Sequence, residues 1–270
     1  ESMKPAELNT YLQTAIEIAL KAGQLLKENL GKVKKISHKG EINLVTEVDQ
    51  ASEKLITEEL IKNFPSHSVV AEEGTLRKNS SDYLWYIDPL DGTTNYAHSY
   101  PCFAVSLGLS HQGEMIIGVV YNPISDELFY ASSGQGAFLN GSLIEVSHTE
   151  KLVDSLLATG FAYDFKNNLD FTVGLFKEFL SRTQGIRRDG SAALNLCYTA
   201  CGRFDGFWEM NLEPWDTAGG MVILKEAGGK ITSFSGERFH PEEKSVLASN
   251  GLIHQSMLDV ISPHLTRLYG

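Results

Sequence analysis

The stretch from Trp85 to Asn95, WYIDPLDGTTN, places the tightest constraint on this chain. Trp85, Tyr86 and Ile87 are aromatic or β-branched residues suited to a buried strand, and Asp88-Pro89 is expected to end that strand by removing a ladder donor. Asp88 and Asp91 then stand three residues apart across a Pro-Leu turn, where both carboxylates can converge on one point. Two acids that close repel each other unless cations lie between them. Gly92-Thr93-Thr94 follows at once. Glycine allows close approach of backbone to ligand, and consecutive N–H groups opening a helical turn favour an anion such as phosphate. Asp-Pro and Asp-Gly are also ordinary turn formers, and a lone DPLDG is more often than not a solvated loop.

Other acids occupy similar places. Ser68-Val69-Val70-Ala71 is a second β-rich run, and it ends in Glu72-Glu73-Gly74. The segment between the two runs is short and polar, which allows the strands carrying Glu72 and Asp88 to be sheet neighbours. Thr46 and Asp49 stand where an amphipathic helix through Val48, Ala51, Leu55 and Leu60 begins, and Asp216 begins another through Met221, Leu224 and Ala227. Helix capping accounts for either aspartate taken singly.

The rest of the chain supplies a frame. A long apolar helical face runs from Lys4 to Leu30. From Phe103 to Ile144 the pattern is that of an antiparallel meander, with Gly113 and Asn140-Gly141 at its turns. Beyond residue 145 strands and helices alternate: strands at Leu156–Gly160, Gly185–Arg188, Phe204–Glu209 and Val246–Ala248, with helices near Phe171–Leu180, at Ser191–Gly202 and at Leu252–Leu268. This reads as an N-terminal α+β half, residues 1–145, joined without linker or hinge to a C-terminal α/β half, residues 146–270, the two closely packed as one catalytic unit.

Charge and composition narrow the chemistry. A net charge of -11 argues against nucleic acid or an anionic membrane as the main partner, and a phosphate ligand would then require bound divalent cations to invert the local field. No apolar run reaches the roughly 18 residues of a membrane span. The opening ESMKPAEL lacks the order of a signal peptide, and Cys102, Cys197 and Cys201 are too few for a disulfide framework, which points to a reducing cytoplasm. Cys197 and Cys201 lie one helical turn apart without further zinc ligands nearby and read as small core residues. Cys102, Ser191 and Cys197 have no evident base partner, which argues against covalent catalysis.

Glu72-Glu73, WYIDPLDGTTNYAH (Trp85 to His98) and WDTAGGMVILKEAGG (Trp215 to Gly229), with NLVTEVD before them and GSAA at Gly190 to Ala193 between them, resemble the inositol monophosphatase family in order and approximate spacing. That family lies within the wider group of metal-dependent, lithium-sensitive phosphatases. The resemblance implies a layered αβαβα sandwich of the inositol monophosphatase/fructose-1,6-bisphosphatase type, Mg²⁺-dependent hydrolysis of a small-molecule phosphate monoester, and a homodimer. It implies a first metal held by Glu72, Asp88 and the carbonyl of Leu90, and a second held by Asp88, Asp91 and Asp216. Thr93 then helps Glu72 position a metal-activated water, with Thr46 and Asp49 in support. Gly92, Thr93 and Thr94 offer N–H groups to the phosphate. Gly190, Ser191, Ala192 and Glu209, together with Asp216, line the pocket for the sugar or inositol ring. Fructose-1,6-bisphosphatase and nucleotide 3'-phosphatase activities use the same scaffold, and a dimeric binding protein is the alternative of another class. Two departures stand out: Asn43 where relatives often carry aspartate, and a second glycine in WDTAGG where alanine is common.

Overall fold

The computed structural model describes residues 5–32, 36–38, 44–161 and 168–269; Lys4 and Asn43 lie outside them, as does the side chain of Thr46. In chain order the elements are α1 (Pro5–Asn29), β1 (Ile36–His38), β2 (Leu44–Thr46), α2 (Glu47–Asn63), β3 (Ser68–Ala71), β4 (Leu76–Arg77), β5 (Tyr83–Asp91), α3 (Thr93–Ala97), β6 (Ala104–His111), β7 (Glu114–Asn122), β8 (Glu127–Ser132), β9 (Ala137–Leu139) and β10 (Ser142–Ile144). They continue with β11 (Leu156–Thr159), α4 (Leu169–Arg182), β12 (Gly185–Arg187), α5 (Ala192–Ala200), β13 (Gly206–Met210), α6 (Pro214–Glu226), β14 (Lys230–Thr232), β15 (Ser245–Ser249) and α7 (His254–Tyr269).

Two sheets carry the architecture. An eight-stranded sheet runs β10-β9-β8-β7-β6-β5-β3-β4, and a five-stranded one runs β12-β11-β13-β15-β14. Side-chain alternation along each strand sends apolar groups to both faces, so each sheet is covered twice. Trp85, Ile87 and Leu107 meet Ile18, Leu26 and Ile56 of α1 and α2 on the outside of the first sheet. On its other face Val120 and Phe129 meet α5 and α6 through Leu196, Met221 and Ile223, and the same helices bury Phe207 and Ala248 of the second sheet. Leu157, Trp208 and Leu247 then pack under α4 and α7. The layers are therefore α, β, α, β, α, as expected.

The meander and the alternating C-terminal elements fall where the patterning put them. At the hairpin turns Gln112 and Gly113 have φ of 53° and 81°, and Asn140 and Gly141 have 48° and 84°, which is the left-handed geometry a two-residue turn demands. Differences are local. Pro89 does not end β5: pairing with β6 shifts register between Asp88 and Asp91 and resumes at Asp91 opposite Ala104. A bulge absorbs the proline's missing donor, so both acids remain on the strand, held by its ladder. Two helices are shorter than expected, α5 stopping at Ala200 and α7 starting at His254, while α6 starts earlier, at Pro214. The short strands β1, β4 and β14 carry too few residues to show a period.

Gly219, the additional glycine of WDTAGG, has a packing cause. A Cβ on Gly219 would stand 2.7 Å from Ser106 Oγ and 2.9 Å from the Leu107 carbonyl oxygen, and one on Gly118 would stand 2.1 Å from the Gly219 carbonyl oxygen. Helix α6 thus lies directly on the backbone of β6 and β7. The N-terminal turn of α6, which carries Asp216, is thereby set against the strand end that carries Asp88.

Candidate active site

Four elements bring the acids together: Glu72 follows β3, Asp88 and Asp91 lie on β5, Asp49 on α2 and Asp216 on α6. Strand β3 pairs in parallel with β5, Ala71 opposite Ile87, so the chain leaves both strands at the same end and places Glu72 beside Asp88. Helix α2 covers that end. Ser52 Oγ donates to the Pro89 carbonyl at 2.9 Å, while the buried Glu53 carboxylate accepts from the Glu73 N–H at 2.6 Å and from the Thr75 N–H at 3.0 Å. Asp49, one turn earlier on the same face, is fully buried. The sequence reading gave Ser52 and Glu53 no role. Their signal was there, since Asp49, Ser52 and Glu53 form a polar patch at helical spacing within an otherwise core-facing stripe.

The carboxylates fall into two groups. One oxygen from each of Asp88, Asp91 and Asp216 lies within 4.8 Å of the others, and the same holds for Asp49, Glu72 and Glu73. Asp88 joins the groups electrostatically. Burial, followed by the charges of Glu72, Asp91, Asp216 and Asp49, holds its carboxyl well above the usual range. Asp216 is raised by burial and by Asp91 and Glu72. Asp91 is pushed up to about 6 by burial, against the opposing effect of hydrogen bonds from Ser191 and Ala193. Buried like charges at this spacing favour either protons or a divalent cation between them. Carboxylate oxygens are the donors that a hard cation such as Mg²⁺ prefers, so the residues present fit the metals implied by the resemblance.

Asp88, Asp91 and Asp216 are also held in place from behind. Asp91 Oδ2 accepts from the Ser191 hydroxyl and, at 2.9 Å, from the Ala193 N–H, so it sits on the first turn of α5. Asp216 Oδ2 accepts from the Glu213 N–H at 2.8 Å in a reciprocal capping box at the start of α6. Capping and ligation are therefore compatible for Asp216, because one carboxylate oxygen serves the helix and the other is left for the site. Asp88 Oδ1 accepts from the Leu90 N–H at 3.1 Å. The Thr93 hydroxyl lies 3.1 Å from the Leu90 carbonyl oxygen and 3.5 Å from Asp49 Oδ2, which links the loop to α2.

The Gly92-Thr93-Thr94 loop is pinned to the second half of the chain. Gly92 has φ of 91°, and a Cβ there would meet the Cys102 carbonyl oxygen at 2.9 Å and that of Gly190 at 3.3 Å. Asn95 donates to the carbonyls of Cys102 and Asp189, both at 2.7 Å, a bridging role the sequence reading missed although the residue lies within the motif it quoted. Gly190, Ser191 and Ala192 thus adjoin the loop. Ser191 departs in detail from a simple pocket-lining role, since its side chain caps α5 and holds Asp91.

Glu209 lies near the end of β13 on the face of Phe207, towards α5. It is buried, its pKa pushed up to about 8 by burial, with Arg188 lowering it and Asp91 raising it. It also borders a small cavity of about 20 Å³ that lies mostly under α4, lined by Thr159, Gly160, Phe161, Phe171, Leu175 and Trp208. The thiols do not compete as nucleophiles: burial pushes Cys102 up to about 12 and raises Cys197 well above its ordinary value.

Residues 7–266 match the model of the inositol monophosphatase family. The inositol-1-monophosphatase of Synechocystis is 45% identical over 260 residues, covering 96% of this chain and 91% of that protein. The fructose-1,6-bisphosphatase/inositol-1-monophosphatase of Aquifex aeolicus is 42% identical, with 96% and 97% covered. The Nus factor SuhB of Pseudomonas aeruginosa is 41% identical, with 96% and 98% covered. Among solved structures, the inositol monophosphatase of Anabaena superposes with a TM-score of 0.87 at 44% identity, covering 95% of this chain and 96% of that one.

Proposed function

Because this chain belongs to the inositol monophosphatase family, whose members are metal-dependent phosphatases, we propose that it is a Mg²⁺-dependent phosphomonoesterase acting on inositol monophosphate or related small sugar and polyol phosphates. The observation that carries this reading is the pair of acid groups, Asp88 with Asp91 and Asp216 and Asp49 with Glu72 and Glu73, whose charges both act on Asp88, with the glycine-opened Gly92-Thr93-Thr94 loop beside them. Bound between these acids, divalent cations neutralise phosphate charge and acidify a water molecule.

The chain's own residues then divide the work. Asp88, Asp91, Asp216, Glu72 and the Leu90 carbonyl would hold the metals. Glu72 takes the proton of the attacking water. The Thr93 hydroxyl, aligned between Leu90 and Asp49, orients that water. Backbone N–H groups of Gly92, Thr93 and Thr94 donate to the phosphoryl oxygens as negative charge develops on them. Glu209, with the Gly190-Ser191-Ala192 segment, binds hydroxyls of the ring. Residues 1–145 and 146–270 act as one catalytic unit, because Asp91 rests on α5 and Asp216 is supplied by α6.

Inhibition by lithium, a homodimer and a cytoplasmic location belong to the same reading. Among the described residues no helix is long and apolar enough to cross a membrane. Relatives named Nus factor favour a second reading, a binding role beside hydrolysis. The charge of -11 directs that role towards a protein rather than nucleic acid. Phosphate release from inositol 1-phosphate, fructose 1,6-bisphosphate, a nucleoside 2'-monophosphate and adenosine 3',5'-bisphosphate, with Mg²⁺ or chelator, tests the proposal. Metal-dependent release from inositol 1-phosphate is expected; Mg²⁺ binding without release from any of the four would favour the binding role.

A further inference from the structure

The turn that presents Glu72 is braced from outside itself. Residues 72–75 reverse the chain between β3 and the two-residue edge strand β4, where Val69 and Val70 pair with Arg77 and Leu76. One short backbone bond closes the turn, from the Ala71 N–H to the Thr75 carbonyl at 2.9 Å. The others are long: the Glu72 N–H reaches the Ile87 carbonyl at 3.3 Å, and the Gly74 N–H reaches the Ala71 carbonyl at 3.4 Å. Gly74 is exposed with φ of 110°, and a Cβ there would meet nothing within 4 Å, so nothing packs against the turn at that point. Glu53 of α2 supplies the firmer hold. Its Oε2 accepts from the Glu73 N–H at 2.6 Å, and its Oε1 accepts from the Thr75 N–H at 3.0 Å and the Thr75 hydroxyl at 2.6 Å. Three neutral donors on two oxygens suit an ionised carboxylate, a group whose burial is costly. Packing alone would be served there by an apolar side chain.

We propose that Glu53 is a positioning residue that sets the affinity of the metal held by Glu72 and leaves the other metal untouched. This rests on the functional reading above. The physical case is one of orientation. The Glu72 N–H is bonded to Ile87 on one side of its Cα, and the Glu73 N–H is bonded to Glu53 on the other. Both peptide planes that flank the Glu72 Cα are thereby set, and the direction in which its side chain leaves the strand follows. A glutamate side chain has much rotamer freedom to lose, so a ligand aimed in advance binds a cation more tightly. Ser52, one residue before Glu53, holds the Pro89 carbonyl, so α2 fixes the turn that carries Glu72 relative to the segment that carries Asp88 and Leu90. Asp91 and Asp216 are held instead by the Ala193 and Glu213 N–H groups, and neither bond involves Glu53.

The test compares the unaltered protein with Glu53→Gln and Thr75→Val by Mg²⁺ calorimetry, by the Mg²⁺ dependence of phosphate release from inositol 1-phosphate, and by urea denaturation without metal. Glutamine keeps the size but sets an NH₂ group against one of the N–H donors. Valine removes only the Thr75 hydroxyl and keeps both backbone bonds. For Glu53→Gln one Mg²⁺ affinity should weaken by about 10–100-fold while the other stays, and the Mg²⁺ concentration for half-maximal turnover should rise by the same factor. Turnover at saturating Mg²⁺ and the KM for inositol 1-phosphate should stay within about threefold of the parent. Thr75→Val should shift the same affinity in the same direction by about two- to fivefold, and it decides the matter alone if the glutamine variant does not fold. Lower urea midpoints with unmoved Mg²⁺ affinities would overturn the proposal and leave Glu53 a brace of the fold; equal weakening of both metals would overturn it too. If the unaltered protein bound no Mg²⁺, the functional reading itself would fail and this inference with it.

Discussion

Replacing Asp88 with asparagine separates the two things this residue does. Asparagine keeps the shape, its Oδ1 can still accept from the Leu90 N–H, and its amide can donate to the carboxylates of Asp91 or Asp216. What goes is one charge. With oxygens up to 4.8 Å apart and an effective dielectric of 20, each like-charged pair costs about 3.5 kcal/mol if both members stay ionised. Asp88 belongs to two such pairs with Asp91 and Asp216, but protonation relieves part of that cost, because its carboxyl is held well above the usual range. A net gain of about 3 kcal/mol is therefore expected for the metal-free variant at pH 8, or a rise in melting temperature of roughly 6–12 °C for a chain of this size. Saturating Mg²⁺ reverses the order. The unaltered protein gains about 2.7 kcal/mol at a hundred times its Kd, while the variant, lacking the shared ligand, gains little. Phosphatase turnover should fall by about a thousandfold or more, roughly 4 kcal/mol of transition-state stabilisation. Thermal melts in chelator and in Mg²⁺, paired with phosphate release, read all three. A variant that melts lower than the parent in chelator and keeps a normal Mg²⁺ shift would refute the charge argument.

Ser191→Ala removes the hydroxyl that holds Asp91 and caps α5, so a stability loss of about 1 kcal/mol should accompany weaker Mg²⁺ binding by calorimetry; Ser191→Thr should recover both. Gly219→Ala drives a methyl against the Leu107 carbonyl and should cost about 1–3 kcal/mol in urea denaturation, with turnover falling as Asp216 moves away from Asp88. Burial lowers His67 to about 4, and its Nδ1 accepts from the Trp85 indole N–H at 3.1 Å. Below an unfolded value near 6.5 the unfolded chain takes a proton that the fold refuses, so this contribution is whole above about pH 6.5 and fades towards pH 4, by up to about 1.4 kcal/mol per pH unit. The raised acids of the site have the opposite sign, so the readout is the difference between the parent and His67→Gln, whose urea midpoint should fall less steeply between pH 6.5 and 4.

Much of the site was legible because its residues sit where short sequence signals are strongest. Glu72 and Asp88 each follow a β-rich run, and parallel pairing of those runs fixes the two acids side by side. Asp91 and Gly92 lie within the same eleven residues. What was not legible depends on distant contact. No local pattern tells that Asn95 reaches the Asp189 carbonyl, or that the Ser191 hydroxyl turns to Asp91 rather than only lining a pocket. Pro89 misled for a related reason: a proline ends a strand in isolation, but here the partner strand β6 continues and the ladder bulges around it. The glycine in α6 was visible as a departure, and only the 2.9 Å approach to Leu107 explains it.

If the acids around Asp88 form a metal-dependent phosphatase centre, Mg²⁺ governs turnover and stability together. Phosphate release from inositol 1-phosphate should be followed as Mg²⁺ is added back to chelator-treated protein, with the melting temperature recorded at each point. Turnover and thermal stability should rise together from a metal-free baseline with negligible release. Release that proceeds fully in chelator, or a melting temperature that Mg²⁺ leaves unmoved while turnover appears, would contradict the account.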